Sequence, residues 1–196
     1  KSFNKKIEVT GDKSLSIRWA IIASLATGKS RGYNLLRSED VLNTLSCLKK
    51  LGIKINLKNN YCEIFGKGLD GYAYKKNLIL NAGNSGTAAR LITATLVKAT
   101  ETIKITGDAS LKKRDMNRII VPLKKFGVTF KENKKGKLPI FIKGSNSLNP
   151  INYEELKGSA QCKSAVMLAA IHAKGTTKLK CKPSRDHTEL LYKYLK

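Results

Sequence analysis

What this chain has little of narrows its class first. Its four cysteines, Cys47, Cys62, Cys162 and Cys181, have no paired spacing of the metal-ligand kind and none stands beside a histidine. They read as reduced thiols, not as a disulfide frame or a zinc site. There are only two histidines. His172 falls in an apolar helical stretch and reads as packing, whereas His187, beside the basic segment PSRDH, can line a site. No apolar run approaches the roughly 20 residues that span a bilayer. The opening KSFNKKIEV lacks the apolar centre of a secretion signal, so the expectation is a cytoplasmic protein without a membrane partner.

Acidic residues are also scarce, 14 against 38 lysines and arginines, for a net charge of +24. Such an excess suits nucleic acid, because cations that neutralise phosphates release counterions. However, Lys49, Lys50, Lys124, Lys125, Lys134 and Lys135 fall at solvent-side helix positions and turns, aromatics make up only 7%, and no nucleic-acid motif appears. The expectation is therefore no nucleic-acid partner, and a solvated basic surface that attracts small anions. With 41% hydrophobic residues in 196, the chain can bury a sizeable core as one repeat-built lobe.

What is present is a loop design used three times. GDKSLSIR at residues 11–18, NSGTAARL at 84–91 and GSAQCKSA at 158–165 each place glycine and small polar residues ahead of an apolar helix. Free amides and the positive end of the helix dipole make such N-termini seats for phosphate or carboxylate. Three of them, with basic side chains nearby, point to a multiply anionic small ligand.

A second periodicity shows that the loops belong to internal repeats. EDVLNTLSCLKKLGIKI matches RDMNRIIVPLKKFGVTF, with Asp40 and Gly52 twelve apart, Asp115 and Gly127 twelve apart, and the copies offset by 75. A third copy begins at Arg185 and Asp186 as RDHTELLYKYLK, with Lys196 ten residues after Asp186 as Lys50 follows Asp40. The expectation is a fragment of a longer protein, its third unit truncated inside an amphipathic helix.

Hydrophobic patterning predicts strands at 6–10, 31–36, 78–81, 102–106, 151–154 and 176–182. Helices are expected at 14–26, 40–51, 86–97, 115–126, 160–173 and from 186 onward, with Gly28 closing the first and Asp12 capping it. Hairpins are expected from 53–57 to 61–65 and from 128–132 to 139–143. The repeated order of strand, helix, strand, helix and hairpin predicts an α/β lobe of repeated units around a shared core.

GDKSLSIR, NSGTAARL, SLKKRD, GSAQCKSA and SRDHTE, in this order and over nearly the whole chain, resemble the N-terminal half of the 5-enolpyruvylshikimate-3-phosphate synthase family (3-phosphoshikimate 1-carboxyvinyltransferase). The related UDP-N-acetylglucosamine enolpyruvyl transferases share the architecture, but typically have Lys-Asn where this chain has Lys13 and Ser14. The resemblance implies a two-lobed enzyme, an inside-out α/β barrel, each lobe having three βαβαββ units. Residues 1–10 would be a strand of the other lobe, and residues 11–196 an incomplete N-terminal lobe. The implied reaction moves the enolpyruvyl group of phosphoenolpyruvate to the 5-hydroxyl of shikimate 3-phosphate, on the route to chorismate and aromatic amino acids. It needs no metal or organic cofactor, and the complete protein would be a monomer.

The resemblance also implies roles. Lys13 and Gln161 would be catalytic, Lys13 lying between the two substrates. Lys13, Ser14, Arg18, Ser159, Ala160, Gln161 and Arg185 would take shikimate 3-phosphate. Lys13, Asn84, Gly86, Thr87, Arg90, Arg114 and Gln161 would take phosphoenolpyruvate. Ala160 stands where many members have serine, Asp115 where proline is common and Ile17 where a more polar residue is usual. Lys112, Lys113 and Lys163 read as solvated charge. The second lobe would supply an aspartate base and further cations, so the 196 residues alone are expected to be inactive. Two non-enzymatic readings, an anion-binding module and a nucleic-acid binder, predict binding without turnover.

Overall fold

A computed structural model describes residues 4–131 and 135–195. The expectations at residues 1–3, Glu132, Lys134 and Lys196 lie outside the described residues. The first unit runs α1 (Lys13–Leu25), β1 (Thr27–Tyr33), α2 (Glu39–Lys50), β2 (Lys54–Leu57) and β3 (Tyr61–Lys67). The second runs β4 (Ile79–Asn81), α3 (Gly86–Thr95), β5 (Ile103–Thr106), α4 (Asn117–Lys125), β6 (Thr129–Lys131) and β7 (Ile140–Lys143). The third has β8 (Asn152–Glu155), α5 (Ala160–Ala170), β9 (Lys178–Cys181) and α6 (His187–Tyr194).

The three apolar helices form the interior. Ile17, Ile21, Leu91, Ile92, Val166 and Leu168, from α1, α3 and α5, are at most 1% exposed. A helix that is hydrophobic around its circumference must be covered on all sides. α3 packs between α1 and α5, and α2 and α4 lie against this layer with one apolar face each. Charge placement in α2 suits its dipole, with Glu39 and Asp40 in the first turn and Lys49 and Lys50 in the last. The sheets lie outside, in the order β1-β3-β2, β4-β5-β7-β6 and β8-β9. β4 runs parallel to β5 and β8 parallel to β9, whereas both hairpins are antiparallel, as expected.

Several boundaries differ from the sequence expectations. The strand expected at 6–10 does not form, and Ile7 and Val9 are 70% and 75% exposed. β1 is the edge strand of its sheet and its outer side stays unpaired, whereas β4 covers the matching edge of β5. β1 begins at Thr27 and ends at Tyr33, absorbing Gly28 into the strand, because its register with β3 runs from Thr27↔Lys67 to Tyr33↔Tyr61. α4 starts at Asn117, two residues late, because the Asp115 carboxylate accepts the Asn117 amide at 2.8 Å before the helix begins. α3 and α5 end at Thr95 and Ala170, short of the expected ends, in turns closed by the Leu96 and His172 amides.

Candidate functional site

All three inner helices point their N-termini toward one place. Asp12 caps α1 by accepting the Leu15 amide at 2.7 Å, Ser85 caps α3 through Ala88 at 3.1 Å, and Ser159 caps α5 through Cys162 at 3.3 Å. Each cap satisfies one free amide and leaves the dipole intact. Between these ends lies a cavity of about 540 Å³ lined by Lys13, Ser14, Ser38, Glu39, Asp40, Asn84, Ser85, Gly86, Thr87, Arg114, Gln161 and Arg185.

Eight of the residues expected from sequence therefore meet on one wall: Lys13, Ser14, Asn84, Gly86, Thr87, Arg114, Gln161 and Arg185. Arg18, Arg90, Ser159 and Ala160 do not line it. Arg18 is 4% exposed and lies behind the wall, bonded to Ser14, Ser164 and Thr188. Arg90 supports the wall, donating to the Gln161 side-chain carbonyl and, at 2.9 Å, to the Asp115 backbone. Gln161 in turn donates to Thr87 Oγ1 at 2.9 Å. Its amide is thereby oriented, with one Nε2 proton left for a ligand.

Gly86 is the one position where a missing side chain shapes the wall. A Cβ there would lie 3.0 Å from Arg90 Nη1 and 3.1 Å from Arg114 Nη1. Two guanidinium groups thus flank the first turn of α3, a place where dipole and charge act in the same direction on an anion. Burial, the largest cause, pulls the Arg90 pKa down, and the charges of Arg118 and Arg114 add to the effect while Cys162 opposes it.

Two acids that sequence reasoning missed complete the arrangement. Lys13 Nζ pairs with Asp40 at 2.7 Å, with the lysine side chain 51% exposed. Asp108 accepts from Asn84 Nδ2 at 2.7 Å, and Asn84 Oδ1 accepts from Arg114 Nη2 at 2.8 Å. The other Asp108 oxygen takes the Leu111 amide at 2.6 Å, building the short turn that ends at Arg114. That amide bond, followed by Asn84, holds the Asp108 carboxyl below its ordinary pKa. Asp40 left a signal, since it is the repeat-mate of Asp115 and Asp186. Asp108 left none, because its partner lies 24 residues away.

Size alone does not select this site. A larger depression of about 750 Å³ runs along Tyr33–Ser38 and Leu57–Tyr61, but no inner helix contributes to it and Arg37 is turned onto the Lys58 carbonyl. Lys163, expected to be solvated, is instead 4% exposed and paired with Glu189. α5 is enclosed on the side that carries it, so the charge must find a partner inside. His172 is buried as expected, and His187 lies at the α6 start outside the cavity lining. Cys47, Cys62 and Cys162 are buried free thiols and Cys181 is half-buried. Among the described residues, no group of three or more metal-ligating side chains comes together, and no helix is long and apolar enough to cross a membrane.

The family model described as EPSP synthase (3-phosphoshikimate 1-carboxyvinyltransferase) matches residues 1–195. A 3-phosphoshikimate 1-carboxyvinyltransferase of Ruthia magnifica subsp. Calyptogena magnifica is 44% identical over 189 residues, covering 95% of this chain and 43% of the relative. One from Petrotoga mobilis is 43% identical over 196 residues, covering 98% and 45%. The solved EPSP synthase of Acinetobacter baumannii superimposes with a TM-score of 0.89 at 38% identity, covering 94% of this chain and 42% of that one. The chain spans less than half the length of these proteins, and it belongs to the EPSP synthase family.

Proposed function

We propose that this chain is the N-terminal lobe of a 3-phosphoshikimate 1-carboxyvinyltransferase, binding shikimate 3-phosphate and one side of phosphoenolpyruvate. The observation that carries this reading is the convergence of three helix N-termini, with Lys13, Arg114, Gln161 and Arg185, on one cavity. Residues 11–196 form this lobe and residues 1–10 belong with a second lobe, a division supported by the exposure of Ile7 and Val9. The complete protein is a cytoplasmic monomer that uses no metal or organic cofactor.

Each substrate carries a phosphate and a carboxylate, so bringing both into one site costs Coulomb repulsion that fixed cations must offset. Lys13 begins that work. Its ammonium exchanges Asp40 for a substrate anion and stabilises charge as the 5-hydroxyl oxygen adds to C2 of phosphoenolpyruvate. The hydroxyl proton passes to a base of the second lobe, and the double-bond pair takes a proton at C3, which Lys13 can supply, to leave a methyl group. Phosphate then leaves from C2 as the methyl group gives up a proton and the double bond returns. Gln161, held by Arg90 and Thr87, uses its remaining amide proton to keep the two substrates in register.

Ser14, Ser159, the Ala160 amide and Arg185 take the phosphate and ring of shikimate 3-phosphate. Arg18 backs them from behind the wall through its bonds to Ser14, Ser164 and Thr188. Arg114 presents a guanidinium fork to phosphoenolpyruvate beside Asn84, Gly86, Thr87 and Arg90. The acceptor hydroxyl still needs a base and a closed, dry site from the second lobe.

Calorimetric titration of the 196 residues with shikimate 3-phosphate tests the reading. Saturable binding is expected, weakened about a hundredfold by Lys13→Ala, a change of about 2.7 kcal/mol. No appreciable phosphate release from the substrate pair is expected. Failure to bind, together with steeply salt-dependent uptake of duplex DNA, would overturn it in favour of the nucleic-acid reading.

A further inference from the structure

A buried cation ties together the starts of three helices. Arg18 Nε donates to Thr188 Oγ1 at 2.9 Å, Nη2 to Ser164 Oγ at 3.0 Å, and Nη1 to the Ser14 carbonyl at 3.1 Å. Ser164 Oγ lies 2.6 Å from the Ala160 carbonyl and Thr188 Oγ1 2.8 Å from Ser164 Oγ. Proton directions follow, because a guanidinium only donates and a carbonyl only accepts. Thr188 accepts from Arg18 and donates to Ser164, and Ser164 accepts from both and donates to Ala160. Thr188 and Ser164 are each 1% exposed, so water cannot replace either hydroxyl.

Apart from this clasp, α6 rests on Tyr192 packed against the core and on Leu191 beside Leu15 and Trp19. Leu190, Tyr194 and Leu195 are 54%, 86% and 59% exposed, and its main other polar attachment is the pair of Glu189 with Lys163. Arg185, three residues ahead of Thr188, is delivered to the cavity wall by this helix start. It is delivered toward a like charge. Burial is the first cause of a lowered Arg18 pKa and the charge of Arg185 the second, so the two guanidinium groups repel.

We propose that Thr188 and Ser164 are positioning residues whose hydroxyls, bonded to Arg18, dock the start of α6 and so hold Arg185 at the cavity. The proposal rests on the reading that Arg185 takes the phosphate of shikimate 3-phosphate. Thr188→Val keeps the shape and removes the acceptor and donor. Its affinity for shikimate 3-phosphate is expected to fall about tenfold, with Thr188→Ser within about twofold of the parent. In an Arg185→Ala background, Thr188→Val is expected to change affinity by less than about twofold, because its effect passes through Arg185. Unchanged affinity in Thr188→Val, no rescue by serine, or the same tenfold loss without Arg185 would each overturn the proposal.

A ligand-free readout separates this from the functional reading. Nitrogen relaxation of the Arg185 Nε–Hε group is expected to show an ordered side chain in the parent and a mobile one in Thr188→Val. If the parent binds no shikimate 3-phosphate, the functional reading falls, and this measurement alone decides the clasp, with unchanged order overturning it. Ser164→Ala takes the place of Thr188→Val should the latter fail to fold.

Discussion

At the N-terminal ends of α1, α3 and α5, Lys13 keeps 51% of its side chain exposed while paired with Asp40, and Arg114 reaches solvent while bonded to Asn84. At the far ends of the same helices, Tyr72 OH lies 2.6 Å from Ser24 Oγ, with Tyr74 edge-on to it at 6.4 Å, and His172 is 7% exposed. Burial raises the Tyr72 pKa to about 12 and lowers that of His172 to about 4. His172 Nδ1, His172 Nε2 and Tyr74 OH are buried there without hydrogen-bond partners. Groups at the first end are charged and hold partners close to solvent. Groups at the second are neutral and enclosed. Substitutions at the first end should therefore change binding and spare stability, and changes at the second should do the reverse.

The largest expected effect is at the far end and needs no mutation. His172 is neutral when folded, with a pKa of about 4 against an ordinary 6.5. Burial is the main cause, and Lys98 opposes its charging more than Asp70 favours it. Its contribution to stability is complete above about pH 6.5, where the imidazole is neutral folded or unfolded. As pH falls from 6.5 to 4, the unfolded chain takes a proton that the folded one refuses, and the contribution is lost. Integrated over that window, the loss is on the order of 3 kcal/mol. Urea unfolding between pH 4 and 7 measures it, and His172→Leu should flatten the acid limb. An equally steep limb in that variant would show that the far end is not the sensitive one.

Gly86→Ala sharpens the contrast from the other side. The added methyl crowds the tips of two arginine side chains and touches Leu111 at an ordinary 3.8 Å, with no backbone in its way, so the arginines move and the helix stays. Affinity for phosphoenolpyruvate or inorganic phosphate should fall about tenfold, while the melting temperature stays within a degree or two, because alanine is the better helix residue. A collapse in stability would mean that Gly86 serves the fold before the ligand. The smallest effect is expected for Asp108→Ala. It frees Asn84 and, through it, Arg114, but solvent competes at this exposed site. A loss of about threefold in phosphate affinity is expected, and the double variant with Asn84→Ala should lose less than the two single losses combined, because Asp108 acts partly through Asn84 and partly through the Leu111 turn.

The repeat, the helix order and both hairpins were legible in the sequence because they rest on local patterns: apolar spacing, Gly-rich loops and the Asp-to-Gly interval. Eight of twelve expected site residues line the cavity, and they were legible one by one for the same reason, since each lies within two residues of a helix cap or in a quoted motif. What was not legible depends on distant partners. Lys163 lies on a helix that folding encloses, and Arg18 meets Thr188 across 170 residues of chain. The strand expected at 6–10 had the right residues but does not pair with the open edge of β1, because alternation fixes a strand's faces and not its neighbour.

The sequence by itself determined three helix N-termini suited to anions and the cations that accompany them, because capping and dipole effects are set within one turn of chain. Only the tertiary structure decided that those ends converge, which cations reach the cavity and which stay behind it. Depth of burial and the hydroxyl or carboxylate that meets each cation are fixed by the packing of whole helices against one another.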